Sequence, residues 1–303
     1  MKLIIILLFF TSMSQAQMIG DVPLDKIRMD KEKRELIKRL LKAKPLNMGQ
    51  IYENLNLEGE NRVKRRFFNT ANPYLPRFKE RYAYLPPVLK YPLPSNPENF
   101  EINKILKFIR YYGQEPVVAF MAKKSKGVCG VRFVDNERIN YLLKSFKNEE
   151  EAISFGYMVT HGSHCGMCST LKDLAVYMAR PNLTTPARKC SRNLIPNKIK
   201  KCYKTTIGFT NNCSEVWAYS SENTRKHCMN ACLETYGLLN ILSGKMDSIP
   251  NIDEEGNLNS CIACDENKSG PGFKYGVGRN RRNSGITSAI ERDESEMIRI
   301  DHF

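Results

Sequence analysis

Apolar positions along this chain follow two different spacings. Spacings of three and four residues are typical of helices that bury one face, and short runs of β-prone residues are typical of strands. The first pattern predicts helices starting at Pro97 and covering residues 136–146, 148–155, 168–179 and 222–242. The second predicts strands at 117–121, 130–134, 157–160, 205–210 and 215–219. Because helices and strands mix without a regular β-α-β order, we expect the α+β class.

The same patterns divide the chain into four segments, of which the first and last are the simplest. Residues 1–16 have a lysine, a short apolar run and a polar end, which is the form of a secretory signal peptide cut before Gln17. Nothing approaches the roughly 20 apolar residues of a transmembrane helix, so we expect secretion without a membrane span. Residues 98–303 suffice for a single disulfide-stabilised domain, with a loop-rich tail after Cys264.

The two middle segments, 17–66 and 67–97, contain no cysteine. The first is a basic segment with a predicted charged helix, and we expect an extension or propeptide outside the core. Its end, Arg62-Val-Lys-Arg-Arg66, is either a processing site or a solvated basic loop. The second carries seven prolines, which predicts an extended Pro-rich strap packed on the domain. The apolar face of the predicted helix consists of Ile27, Leu36, Ile37, Leu40 and Leu41.

All ten cysteines lie between Cys129 and Cys264. An even number in a secreted chain predicts up to five disulfides, whose pairing the spacing leaves open. Cys228 and Cys232 lie four residues apart on one face of a predicted helix, so we expect each to bond a different partner. Three sequons, at Asn182, Asn212 and Asn267, are possible N-glycan sites in the secretory pathway and indicate a glycoprotein.

The strongest candidate for a reactive site is the run from His161 to Asp173. It places two of the four histidines, His161 and His164, beside the C-x-x-C pair Cys165 and Cys168 at a predicted strand, turn and helix start. A thiol at a helix N-terminus is favoured as thiolate by the helix dipole and by a nearby imidazolium. These four residues are the candidate catalytic residues. Asp173, further along the predicted helix, is expected to face solvent.

Four interpretations of this run remain open. Both cysteines could form structural disulfides, as is usual in secreted proteins. Cys168 could be a nucleophile with His161 or His164 as its base, which indicates a hydrolase or lyase. All four residues could bind zinc, although an oxidising compartment disfavours this, and we expect no metal or other cofactor.

The fourth interpretation is a redox pair. The C-G-x-C sequence at a helix start resembles the thioredoxin-type active site over about a dozen residues, which implies a thiol-disulfide oxidoreductase. His164 stands where that family usually has an aromatic residue, and no cis-proline loop can be placed. The run is also similar to the papain-type signature C-G-x-C-W. Ser169 replaces that aromatic residue and no suitably spaced His-Asn pair follows, which excludes papain.

Secondary candidates lie outside this run. His227, in a helix predicted to begin at the cap Ser221, could complete a site with the first two histidines, or be a structural histidine. Arg279, Arg281 and Arg282 lie between glycines, where guanidinium groups suit carboxylate or phosphate recognition. A solvated basic loop or a second processing site is the alternative for these three arginines.

The net charge is +15, and the pI is near 9.3. Basic residues are spread along the chain without a recognition motif, which excludes nucleic acid and favours acidic glycans, anionic surfaces or a small anionic ligand. The sequence does not indicate an oligomeric state. Two function classes follow: a secreted, non-catalytic binding or structural glycoprotein, or a secreted enzyme that uses residues 161–168.

Overall fold

The computed structural model describes residues 17–55, 63–64, 71–72, 127–290 and 297–302. The predicted signal peptide, the helix starting at Pro97 and the strand at 117–121 lie outside these residues, as do most of the dibasic run and of the Pro-rich strap. The strands are β1 (Met18–Ile19), β2 (Val22–Pro23), β3 (Lys44–Pro45), β4 (Val63–Lys64), β5 (Ala71–Asn72), β6 (Val128–Phe133), β7 (Asn140–Phe146) and β8 (Met158–Gly162). The helices are α1 (Lys31–Lys42), α2 (Met48–Asn54), α3 (Glu149–Ser154), α4 (Leu171–Ala179), α5 (Thr184–Ser191), α6 (Pro196–Cys202), α7 (Asn211–Tyr236), α8 (Leu238–Ser243), α9 (Ser260–Lys268) and α10 (Gly270–Val277).

Four strands form one sheet in the order β3-β7-β6-β8. β6 pairs antiparallel with both β7 and β8, and the short β3 pairs parallel with β7. The strands predicted at 130–134 and 157–160 are confirmed as β6 and β8. Helix α4 follows β8 after a tight turn, so the predicted strand, turn and helix around residues 161–170 are also confirmed.

The helix predicted over residues 136–146 is wrong, because residues 140–146 form β7. Leucine and lysine favour helices in isolation, but Tyr141 and Leu143 alternate inward as strand residues do. The carboxylate of Asp135 accepts hydrogen bonds from the N–H groups of Ile139 and Asn140, each at 2.7 Å. These bonds fix the turn that brings β7 beside β6, and pairing on both edges then outweighs helix propensity.

The N-terminal segment packs into the core. Ile37 and Leu40 of α1 are buried in the same apolar cluster as Leu174 of α4, and the side chain of Asn47 bonds both backbone groups of Leu143 in β7. The expectation that this segment lies outside the core is therefore wrong for residues 17–55. The helix is also shorter than predicted, because Asp30 caps it after Ile27. Proteolytic removal of the segment remains a prediction.

Two predicted strands in the second half of the chain are wrong. Residues 203–207 form a π-helical turn, and residues 215–219 lie within the 26-residue helix α7. Thr210 caps α7, so Ser221 lies inside the helix and is not its cap. The β-prone side chains of Val216 and Tyr219 are buried on this helix, and their burial outweighs their strand propensity.

The prediction of a loop-rich tail after Cys264 is wrong up to residue 277, because α9 and α10 occupy this part of the chain. Pro271 lies in the first turn of α10, where its missing N–H costs no helical hydrogen bond. Glycines at 270, 272 and 276 suggested a loop, but they lie within this helix.

Five disulfides use all ten cysteines, as the even count predicted. Cys228 and Cys232 bond different partners, and both partners lie on α9, so α7 and α9 are joined twice. The mixture of helices and short strands fits the α+β class. Within the described residues, no helix is long and apolar enough to cross a membrane. The five pairs are Cys129–Cys165, Cys168–Cys213, Cys190–Cys202, Cys228–Cys264 and Cys232–Cys261.

Candidate functional site

The turn between β8 and α4 contains no thiol in this structure. Cys165 is bonded to Cys129 of β6, and Cys168 is bonded to Cys213 of α7. The described part of the chain has no free cysteine and no group of His, Cys, Asp or Glu side chains that could hold a metal ion. The nucleophile, redox-pair and zinc interpretations all require a thiol or thiolate at these positions. The disulfide interpretation is the one that the geometry fits.

His161 is fully buried and is bonded through both ring nitrogens. Nδ1 lies 2.6 Å from the carbonyl oxygen of Gly162, and Nε2 lies 2.7 Å from Oγ of Ser169. The carbonyl can only accept, so Nδ1 carries the proton and Nε2 accepts from the Ser169 hydroxyl. Burial, and then the charge of Arg279, hold the pKa of His161 well below its usual value. The ring is therefore neutral at physiological pH.

His164 connects the turn to α10. Its Nε2 lies 2.7 Å from the carbonyl oxygen of Tyr275, and its ring packs against the Tyr275 ring at 5.1 Å between centroids. The backbone N–H of Cys168 donates to the carbonyl of Val277 at 2.9 Å. A Cβ at Gly166 would lie 2.4 Å from the backbone nitrogen of Gly278, so only glycine fits this contact. The turn is thus tightly packed against residues 275–278.

Arg279 lies beneath the turn and is fully buried. Its guanidinium donates to the backbone carbonyl of Thr160 at 2.8 Å, to Oγ1 of Thr160 at 2.5 Å and to Oγ of Ser284 at 3.2 Å. Burial lowers the pKa of Arg279 to about 10, which leaves it charged at neutral pH. The arginine therefore holds β8 to the segment that follows α10, and its guanidinium does not face solvent.

Asp173 is also buried, and the expectation that it faces solvent is wrong. Its carboxylate accepts from Oγ1 of Thr170 at 2.6 Å and from the N–H and hydroxyl of Thr210, each at 2.8 Å. Burial raises the pKa of this carboxyl group against the opposing effect of these bonds. The T-x-x-D spacing of a capping box was the sequence signal for this role, since Thr170 caps α4 and Asp173 is its third residue.

The remaining predicted residues do not join the turn. His227 is exposed on α7, and its pKa is lowered by partial desolvation. Arg281 donates to the backbone carbonyls of Thr287 and Arg180, and Arg282 pairs with Glu266 at 3.2 Å. The structure therefore brings together His161, His164 and Arg279, whereas Arg281 and Arg282 line a separate cavity.

This cavity, of about 1060 Å³, lies among helices α5 and α7 to α10. Its wall is largely apolar, and Trp217 and Phe273, whose rings pack edge to face, form part of its aromatic side. Leucines from two segments lie at its exposed edge, namely Leu194, Leu238 and Leu242. The volume is at the upper end of what small-molecule sites occupy.

The charged side chains of the cavity are unbalanced. Among the described lining residues, seven are Lys or Arg and three are Asp or Glu. Asp247 pairs with Arg188 at 3.1 Å, and Glu266 pairs with Arg282 and Lys274. Burial raises the pKa of Asp265, the third acid, which favours its neutral form. The seven basic residues are Arg188, Lys189, Arg192, Arg225, Lys274, Arg281 and Arg282.

Among the described residues, neither Arg225 nor Arg281 forms an ion pair with a carboxylate, although the charge of Glu222, one turn earlier on α7, acts on Arg225. Arg225 donates to the carbonyls of Ser191 and Asn193, and Arg281 donates only to carbonyls as well. Burial lowers the pKa of both, to about 10 for Arg281, and both remain cations at neutral pH. Sequence analysis missed Arg225 and most of the cavity, because its lining residues are scattered from Tyr177 to Ile290 and form no motif.

Comparison with known proteins gives one family. Residues 196–300 match a family of unknown function (DUF8771), over about a third of the chain. The matched region includes α6 to α10 and much of the cavity wall, and it excludes the turn at residues 161–168. No curated protein and no solved structure matches the chain.

Proposed function

We propose that this chain is an extracellular, non-catalytic binding protein and that the cavity among α5 and α7 to α10 is its ligand site. The five disulfides are compatible with an extracellular protein. The predicted signal peptide and the sequons support secretion and glycosylation, and the side chains of Asn182 and Asn267 are exposed. The burial of the histidines in the turn supports a non-catalytic role.

We further propose that the ligand is a small anion with an apolar portion. The observation that carries this proposal is the presence of Arg225 and Arg281 in a largely apolar cavity, where both donate to backbone carbonyls and neither forms an ion pair with a described carboxylate. A carboxylate, sulfate or phosphate group would balance their charge and accept strong hydrogen bonds. The apolar wall would hold the rest of such a molecule.

One contact favours the alternative function, a secreted enzyme. Ser169 Oγ lies 2.7 Å from Nε2 of His161, which is the distance between a nucleophilic serine and its base. Both side chains are fully buried, and the Ser169 hydroxyl also accepts the N–H of Gly166 at 2.7 Å. A fluorophosphonate probe distinguishes the two functions: an enzyme would be labelled at Ser169, and the proposed binding protein would not be labelled there.

Calorimetric titration of the purified full chain tests the ligand class. Dodecanoate is the anionic probe, and dodecyltrimethylammonium is a cationic amphiphile with an alkyl chain of the same length. We expect saturable binding of dodecanoate and binding of the cation that is at least about tenfold weaker, since one charge-assisted hydrogen bond contributes about 1.5 to 3 kcal/mol. Equal binding of the two probes, or no saturable binding of dodecanoate, would contradict the proposal.

Two variants locate the site of dodecanoate binding. Arg225→Gln should weaken it about tenfold or more, because the charge is lost, whereas Lys172→Gln removes an exposed charge on α4 and should leave binding unchanged. Ser220→Phe places a ring in the cavity without removing a charge and should also block binding. Normal binding by both the Arg225 and the Ser220 variant would place the ligand elsewhere.

A further inference from the structure

The edge of the cavity carries the most exposed large apolar side chains of the described structure. Leu239 is 81% exposed, Leu194 is 78% exposed and Leu242 is 64% exposed. Leu238, next to Leu239, is also more than half exposed. We call these four leucines the leucine rim. Single exposed leucines are common on protein surfaces, but a group of four around one opening indicates an interaction surface.

The local structure of α8 explains why three of these leucines are exposed. The helix has the sequence Leu-Leu-Asn-Ile-Leu-Ser, and none of its six residues is buried. Gly237 before it and Gly244 after it both have positive φ, 75° and 79°, so the chain turns sharply at each end. Asn240 and Ile241 are partly buried, but the three leucines of α8 are each more than half exposed and gain little from burial within the fold. The composition of the helix therefore points to a partner outside the described fold.

The charges beside the leucine rim are mainly basic. Arg192 approaches the end of α8 so closely that a Cβ on Gly244 would overlap its guanidinium. Lys189 lines the same cavity and Lys245 follows α8, and both are exposed. The acids nearby are Glu234 on the last turn of α7 and Asp247, which is paired with Arg188. Exposed leucines flanked by cations fit a surface with an apolar interior and anionic head groups.

We infer that the leucine rim docks on the surface of an anionic lipid bilayer. The leucines enter the boundary between head groups and acyl chains, while Arg192, Lys189 and Lys245 contact anionic head groups. The net charge of +15 favours approach to such a surface. Leu194, Leu238 and Leu242 also line the cavity, so docking places its opening against the lipid. The bilayer would then supply the ligand of the cavity, which rests on the proposed function, whereas docking itself does not.

Sedimentation of the full chain with lipid vesicles tests docking. The vesicles are phosphatidylcholine, with and without about one third phosphatidylserine. We expect binding to the anionic vesicles that weakens with added salt. Leu239→Asp should reduce the partition coefficient about tenfold or more, because it removes an inserted leucine and adds a repelled charge. The control Ile153→Asp, at a 60% exposed position on α3, should bind as the unchanged protein does.

The outcomes separate docking from ligand binding. Leu239 does not line the cavity, so Leu239→Asp should keep its affinity for dodecanoate. Docking is overturned by a failure to bind anionic vesicles, by unchanged binding of the Leu239 variant, or by an equal loss in the Ile153 control. If the chain failed to bind anionic vesicles, the leucine rim would instead be a contact surface for a protein partner. Vesicle binding without dodecanoate binding would retain docking and overturn the proposed ligand site.

Discussion

The turn at residues 161–170 and the cavity among α5 and α7 to α10 differ in whether their polar side chains border a space that a ligand could enter. In the turn, both ring nitrogens of His161 are bonded within the protein, and the guanidinium of Arg279 is held by Thr160 and Ser284. In the cavity, Arg225 and Arg281 also donate to backbone carbonyls, but both line an open space and neither forms an ion pair with a described carboxylate. A dense local motif can thus serve packing, while ligand-binding groups lie far apart in the sequence.

This contrast leads to different expectations for mutations in the two regions. Side chains in the turn stabilise the fold, so replacing them should lower the free energy of unfolding. Side chains that line the cavity should alter ligand affinity with smaller effects on stability, as the Ser220 and Arg225 variants test.

Disulfide removal should give the largest effect. Replacing Cys168 and Cys213 by alanine removes the bond that joins the turn to α7 and should cost about 2 to 5 kcal/mol. Replacing Cys232 and Cys261 should cost less than half as much, because Cys228–Cys264 still joins α7 to α9 and only a short extra loop is released. Urea unfolding of the purified full chain measures both. A greater loss from the second pair would contradict this account.

The sequence predicted the parts of the fold that local chemistry determines. Strands β6 and β8, the turn before α4 and the separate partners of Cys228 and Cys232 could be predicted because short-range patterns specify them. The helix prediction at 136–146 failed because the strand form of β7 depends on hydrogen bonds to β6 and β3, and the apolar pattern of the segment alone does not show this pairing. The strands predicted within α7 failed because burial on helix faces outweighed the β propensity of Val216 and Tyr219.

The candidate site was predicted in part. The spacing of His161, His164, Cys165 and Cys168 indicated a compact cluster, and these residues do lie in one turn. Their role could not be predicted, because it depends on Cys129, Cys213 and Arg279, which are distant in the sequence. Arg225 gave no local signal, since its place in the cavity wall and its bonds to the carbonyls of Ser191 and Asn193 are visible only in the folded structure.

Replacement of His161 should have the second largest effect. His161→Ala leaves the Ser169 hydroxyl and the Gly162 carbonyl without their partner in a buried site, and should cost about 2 to 4 kcal/mol. His227→Ala is the matched control, and we expect it to change stability by less than about 0.5 kcal/mol because the side chain is exposed. Equal effects of the two variants in thermal unfolding would show that His161 does not hold the turn.

Acidification should give a smaller effect with a defined sign. The pKa of His161 is far below its ordinary value of 6.5, and that of His302 is lowered to about 4, so both take up protons more readily in the unfolded chain. Their contribution to stability is present above pH 6.5 and is lost as the pH falls below it, by up to about 1.4 kcal/mol per pH unit for His161. The raised pKa values of Asp173 and Asp265 act in the opposite direction.

The pH dependence of the melting temperature between pH 7 and pH 5 measures this effect. As the pH falls across this interval, the His161→Gln variant should lose less stability than the unchanged protein, because it lacks the histidine that takes up a proton more readily in the unfolded chain. Equal slopes for the two proteins would indicate that His161 is not held in its neutral form by the fold.

The most direct test of the contrast is to map where an anionic amphiphile contacts the full chain. A dodecanoate analogue with a diazirine at the end of its alkyl chain is cross-linked by light, and the labelled peptides are identified by mass spectrometry. The account predicts labelling within residues 211–236 and 270–277, suppressed by excess dodecanoate. Labelling at residues 161–173, or labelling that excess dodecanoate does not suppress, would contradict it.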